Sequence, residues 1–114
     1  MLLKSTETVS ETIIAYMQDH LDQNITLDEL SNIVHLEKSH LVRFFRNETG
    51  KTSIESLIEM RLTKASDLVA TSDLCIYEIA TQCGYNTVSF FISKYKQRYG
   101  MTPEVHRRVL KQLN

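Results

Sequence analysis

The chain has 114 residues, of which 42% are hydrophobic and 24% charged, with three Gly, one Pro and a formal net charge of −1. That hydrophobic share excludes a disordered chain, and so little Gly and Pro argues against a loop-rich β-sandwich. No apolar run approaches the ~20 residues of a membrane helix, and Met1–Glu7 lacks the charged-then-apolar layout of a signal peptide, so a cytoplasmic protein with no membrane partner is expected.

Seven helices are predicted, an all-α fold. The first runs from Thr8 to about Leu21, with Val9, Ile13, Met17 and Leu21 forming one apolar stripe. Thr26-x-x-Glu29 has the spacing of a capping box and starts a short second helix, with Leu27, Leu30, Ile33 and Val34 inward and a turn at His35-Leu36. The third helix begins near Glu37, buries Leu41, Phe44 and Phe45, and stops at Gly50. A second box, Thr52-x-x-Glu55, opens the longest helix, about 53–70, whose apolar face carries Ile54, Leu57, Ile58, Leu62, Ala65, Leu68 and Val69. Cys75-x-x-Glu78 opens the fifth helix with a poor cap, and Ile76, Ile79, Ala80 and Cys83 face inward before the turn at Gly84. Asn86 is placed to cap the sixth helix, which buries Phe91 and Tyr95 and stops at Gly100. Thr102-Pro103 starts a seventh helix with Val105, Val109 and Leu110 as its apolar side.

The chain says nearly the same thing twice. Leu27, Leu30, Leu36, Ser39, Leu41, Phe45, Arg46 and Gly50 are answered by Ile76, Ile79, Tyr85, Ser89, Phe91, Tyr95, Lys96 and Gly100. Each copy reads as two short helices with a tight turn between them, the arrangement with which many proteins set a helix into the major groove of DNA.

Charge is unevenly spread. Residues 1–37 carry Lys4 against seven acids, residues 38–84 balance six against six, and residues 85–114 carry six cations against Glu104. The basic end contains part of the second copy, which suits phosphate binding although the whole chain is slightly acidic.

If Leu41 and Phe45 face the core, the outward side of the third helix presents Ser39, Val42, Arg43, Arg46 and Asn47. Arg43 has the reach for paired bonds to guanine O6 and N7, Val42 suits a thymine methyl, and Arg46 and Lys51 suit phosphates. On the sixth helix the outward set is Val88, Ser89, Ile92, Ser93, Lys96 and Gln97, with Lys96 standing where Arg46 does and Ser93 where Arg43 does. Phe90 and Ile92 are apolar where exposure is expected, and either thymine contact or packing accounts for them. A plain solvated face is the competing explanation of such residues, and the recurrence of the pattern weakens it.

Other chemistry finds little support. The two cysteines, Cys75 and Cys83, form no CxxC pair and read as reduced thiols in or near a core. His20, His35, His40 and His106 lack metal-ligand spacing, and the three glycines make no phosphate loop. No metal, no cofactor and no catalytic residue is expected, and the chain is not read as an enzyme.

The segment Ile76-Tyr-Glu-Ile-Ala80, Cys83-Gly-Tyr85, Ser89-Phe-Phe91, Tyr95-Lys96, Gly100-Met-Thr-Pro103, His106-Arg107, with Met60-Arg61-Leu62, Ala65 and Leu68 before it, closely resembles the signature of AraC/XylS-type bacterial transcription regulators. The resemblance implies one DNA-binding domain over residues 8–112: a first helix-turn-helix at about 26–49, a linker helix at about 53–70 and a second helix-turn-helix at about 76–99. It implies that the third and sixth helices enter successive major-groove segments, with Ser39, Val42 and Arg43, then Val88, Ser89, Ile92 and Ser93, at base-reading positions. It also implies transcription activation through RNA polymerase, a nucleoid-associated bacterial setting, and a separate effector-binding or dimerisation domain ahead of this one. Ser93 stands where the family often has Arg, Cys75 where it has a Ser-type cap, and His106 where Tyr is usual. The first departure implies unequal lobes. The alternative is a helical protein-interaction module that has lost DNA binding, supported by the acidic first third and the apolar Phe90 and Ile92.

Overall fold

The computed structural model describes residues 8–113. Met1–Glu7, which include Lys4 and Glu7 of the acidic third, and Asn114 lie outside the described residues. Among the described residues there are seven helices and no strand: α1 (Val9–Asp19), α2 (Leu27–Val34), α3 (Lys38–Thr49), α4 (Ser53–Thr71), α5 (Ile76–Gln82), α6 (Val88–Tyr99) and α7 (Pro103–Gln112). The chain forms two compact units, Met1–Glu59 and Met60–Asn114, and α4 runs from the first into the second.

In the first unit α1 packs on α2 and α3. Its core is Ile13, Met17, Leu21, Leu30, Val34, Leu41, Phe45 and Leu57. Thr8 caps α1 as a full box: its hydroxyl accepts from the Glu11 N–H at 3.1 Å and its own N–H donates to the Glu11 carboxylate at 3.3 Å. The helix stops at Asp19, two residues short of Leu21, which is buried just beyond it. At α2 only half of the expected box forms. Thr26 Oγ1 accepts from the Glu29 N–H at 3.1 Å. The Glu29 carboxylate is occupied by the Tyr16 hydroxyl from α1, and that bond raises the Tyr16 pKa. A tertiary contact has displaced a local one. Glu48 of α3 reaches α1, accepting the Ser10 hydroxyl at 2.5 Å and the Ser10 N–H at 3.3 Å. At α4 the box is complete, with Thr52 N–H to Glu55 at 2.9 Å and Glu55 N–H to Thr52 Oγ1 at 3.1 Å. The Thr52 backbone bond, followed by its side-chain bond, holds the Glu55 carboxyl below its ordinary pKa. Ile54, expected inward, is 63% exposed, and Phe44 is only half-buried.

In the second unit α5 packs on α6 and α6 on α7. Its core repeats the first: Ile79, Cys83, Phe91 and Tyr95 stand where Leu30, Val34, Leu41 and Phe45 do, joined by Leu62, Ala65 and Val69 from α4. Full burial of such side chains contributes ~1.5–3 kcal/mol each, so repeating the apolar set repeats the fold. Thr87, not Asn86, caps α6, accepting the Phe90 N–H at 3.2 Å. The side chain one position nearer the helix wins because it lies three residues from the free N–H, the geometry a cap requires. Cys75 is exposed rather than core, and its N–H donates to Glu78 at 3.2 Å. Val105 and Val109 are exposed at 37% each, so α7 packs instead through Pro103 and the half-buried His106, Arg107 and Leu110.

Candidate nucleic-acid interface

The two turns that deliver α3 and α6 have the same geometry. Both hold a left-handed residue, His35 at φ 57° and Gly84 at φ 86°. After each, a backbone N–H reaches back five residues, Leu36 to Ser31 O at 3.2 Å and Tyr85 to Ala80 O at 2.9 Å. Both helices then end on a left-handed glycine, Gly50 at φ 82° and Gly100 at φ 81°. Side chains therefore leave corresponding positions of α3 and α6 in corresponding directions within their own units.

On α3, Leu41 and Phe45 are fully buried, while Ser39, His40, Val42, Arg43, Arg46 and Asn47 are exposed. Val42 is 37% exposed, enough for its methyls to meet a partner. Arg43 makes no hydrogen bond or ion pair with a described residue, so its guanidinium fork is open. Arg46 lies near Glu55, and its charge helps to lower that carboxyl. Lys51 is partnered: its ammonium sits 2.6 Å from Glu59. A phosphate at Lys51 has to compete with that carboxylate. His40, absent from the sequence-derived set, stands edge-on to Phe44 with ring centroids 6.2 Å apart.

On α6, Phe91 and Tyr95 are fully buried, and Ser89, Phe90, Ser93, Lys96 and Gln97 are exposed. Val88 and Ile92 are half-buried, against the expectation that both face outward. Each precedes a fully buried aromatic by three residues, which places it on the flank of the packed face. Phe90 takes their place outside. The spacing 90, 93, 97 was visible in the sequence as an i, i+3, i+7 arc; the apolar character of Phe90 obscured it. Lys94, Lys96 and Arg98 make α6 wholly cationic, and Lys96 makes no ion pair with a described residue. Arg107, counted with the basic end, is turned inward. Its Nη1 donates to Leu74 O at 2.7 Å, Nε to Val69 O at 3.1 Å and Nη2 to Leu68 O at 3.4 Å.

A helix-turn-helix domain family model matches residues 30–109, most of the chain. The chain belongs to the AraC/XylS-type helix-turn-helix family. Within that family it is 32% identical over 94 residues to the xylose operon regulatory protein of Escherichia coli K12, covering 82% of this chain and 24% of the relative. The chain thus spans about a quarter of that regulator's length. Among solved structures it is similar to the C-terminal domain of the two-component response regulator yesN of Fusobacterium nucleatum, with 33% identity, a TM-score of 0.80, and coverage of 85% of this chain and 95% of that one. The DNA-binding domain of AdpA, solved in complex with a target DNA, shares the fold at a TM-score of 0.89 and 22% identity, over 95% of this chain and 97% of that one. No described helix is long and apolar enough to cross a membrane, and no cluster of metal-ligating side chains occurs among the described residues.

Proposed function

We propose that this chain is a sequence-specific double-stranded DNA-binding domain that regulates transcription, with α3 and α6 as recognition helices in successive major-groove segments. The observation that carries the reading is the doubled presentation: two turns that each hold a left-handed residue and a five-residue backbone bond, each followed by a helix with one buried aromatic face and one exposed polar and cationic face. In this reading Ser39, Val42 and Arg43 read bases from the first unit. Ser89 and Ser93 read from the second, with Val88 and Ile92 at the margin of the contact. Arg46, Lys51 and Lys96 hold phosphates, Lys51 the least because of Glu59. Arg43 is the strongest direct reader, since paired bonds to guanine are worth ~1–3 kcal/mol of discrimination. RNA polymerase and a separate effector-binding or dimerisation domain are the proposed protein partners, on the strength of the resemblance, with a bacterial cytoplasmic setting and no catalytic role.

Selection of bound sites from a random duplex pool, followed by gel shifts at rising salt, tests the reading. The expected result is a salt-sensitive complex whose recovered sites carry informative patches about one helical turn (~34 Å) apart. Absence of salt-sensitive binding to any duplex favours a protein-interaction module instead.

A further inference from the structure

Phe90 is an apolar ring standing where the reading face of α6 is otherwise polar. It is 53% exposed, while the neighbouring Phe91 is fully buried. Its position is not idle: the Lys94 ammonium lies 5.4 Å from the ring centroid, and Tyr85 flanks it with centroids 6.1 Å apart. The ring is thereby flanked by Tyr85 of the α5–α6 turn and by a cation, with Ser89 beside it and Ser93 one turn on, both exposed. Neither serine can make the bidentate contacts that specify guanine or adenine, and Ser93 replaces the long side chain that Arg43 supplies in the first unit. The only base-edge group that an aromatic carbon surface reads directly in the major groove is the C5-methyl of thymine. α6 carries three cations and no acid, so the surround of Phe90 is complementary to phosphate. The corresponding place in the first unit holds His40 against Phe44, a ring with nitrogen donors and acceptors. The two units therefore offer different chemistry at one position.

We infer that Phe90 is a specificity-determining residue that reads a thymine through its C5-methyl group, giving the second unit a thymine readout beside the single hydrogen bonds that Ser89 and Ser93 can offer. The inference rests on the DNA-binding function proposed above and adds the base that the second helix selects.

The test replaces each thymine of a selected duplex, one at a time, by deoxyuridine. This removes the methyl and leaves every hydrogen-bonding edge in place. The full chain and its Phe90→Ala variant are compared by fluorescence anisotropy. At one thymine in the patch assigned to the second unit, the unmodified protein is expected to lose about fourfold in affinity, the worth of one buried methyl-sized group. Phe90→Ala binds the thymine and deoxyuridine duplexes equally. If the unmodified protein tolerates deoxyuridine at every position, or if Phe90→Ala keeps the same penalty, the inference is overturned while DNA binding stands. If the full chain binds no duplex in a salt-sensitive way, the proposed function itself fails and takes the inference with it.

Discussion

His35 and Gly84 hold the same left-handed turn, one in each half of the repeat, with φ of 57° and 86°. A side chain at such a position meets the following carbonyl, at a cost of ~1–2 kcal/mol that glycine avoids. The first unit carries that cost and the second does not. His35→Gly is therefore expected to stabilise the protein by ~0.5–1 kcal/mol, the relief being partly offset by the extra freedom of glycine in the unfolded chain. Gly84→Ala is expected to cost ~1–2 kcal/mol. Urea denaturation followed by circular dichroism measures both. Opposite signs are the outcome to look for, and equal effects of the same sign contradict a shared turn.

The Arg43 guanidinium and the Lys96 ammonium, neither paired with a described residue, predict different losses on DNA. Arg43→Ala should cost ~1–3 kcal/mol on the selected site and relax one base position. Lys96→Ala should weaken binding to every sequence alike and reduce the slope of log K against log salt by about 0.9. Lys51→Ala should change that slope less, because Glu59 already holds the Lys51 ammonium at 2.6 Å. Salt titrations of the three variants on cognate and scrambled duplexes separate these roles, and a uniform loss from Arg43→Ala would show it to be a phosphate contact instead.

Arg107 gives the end of α4 what its own sequence omits. The last turn of α4 has no basic residue, and the Arg107 guanidinium from α7 donates to Leu68, Val69 and Leu74 carbonyls. A cation at a helix C-terminus, hydrogen-bonded to carbonyls of the last turn and of the loop beyond it, is stabilising both through the dipole and by adding donors to those acceptors. Arg107→Ala should lower stability by ~2–3 kcal/mol, and Arg107→Lys should recover only part, since an ammonium lacks the fork. Thermal unfolding of the two variants beside Arg108→Ala, whose side chain is exposed, supplies the check. Equal effects at 107 and 108 would refute the capping role.

Cys83 and Cys75 should behave as opposites toward a thiol reagent. Cys83 is fully buried and burial pushes its thiol up to about 11, whereas Cys75 is exposed. The folded protein is expected to label quickly at one thiol and the unfolded protein at two. A raised folded-state pKa contributes stability that is complete below the ordinary thiol value of 9.0 and is lost as pH rises through about 11. Over that window stability should fall by ~2 kcal/mol from this group. Cys83→Ala should flatten the fall between those pH values. Tyr85 and Tyr95, pushed up to about 12 mainly by burial, extend the decline in the same direction at higher pH.

The helices and their order could be read from the sequence because apolar spacing and end signals agree. The stripe through Ile13 and Met17, the stops at Gly50 and Gly100, and the Thr52 and Thr102 starts all sit where local chemistry puts them. Two of the misplaced details trace to a distant partner: Glu29 leaves its box for Tyr16, and the valines of α7 give way to Arg107 as a packing residue. The cap of α6 moved from Asn86 to Thr87 for a local reason, the spacing to the free N–H. Composition along one helix carries no record of which neighbour arrives.

The same division runs through the candidate interface. The sequence by itself determined that there are two matching helix pairs, that Leu41, Phe45, Phe91 and Tyr95 are the buried sides of α3 and α6, and that Arg43 has only Ser93 as its counterpart, because helical period and repeat offset are local properties. Only the tertiary structure decided which outward residues are open. It moved Val88 and Ile92 to the flank, brought Phe90 out against Lys94, tied Lys51 to Glu59 and turned Arg107 inward. Exposure and pairing are set by the elements packed around a side chain, and those are fixed only when the chain folds.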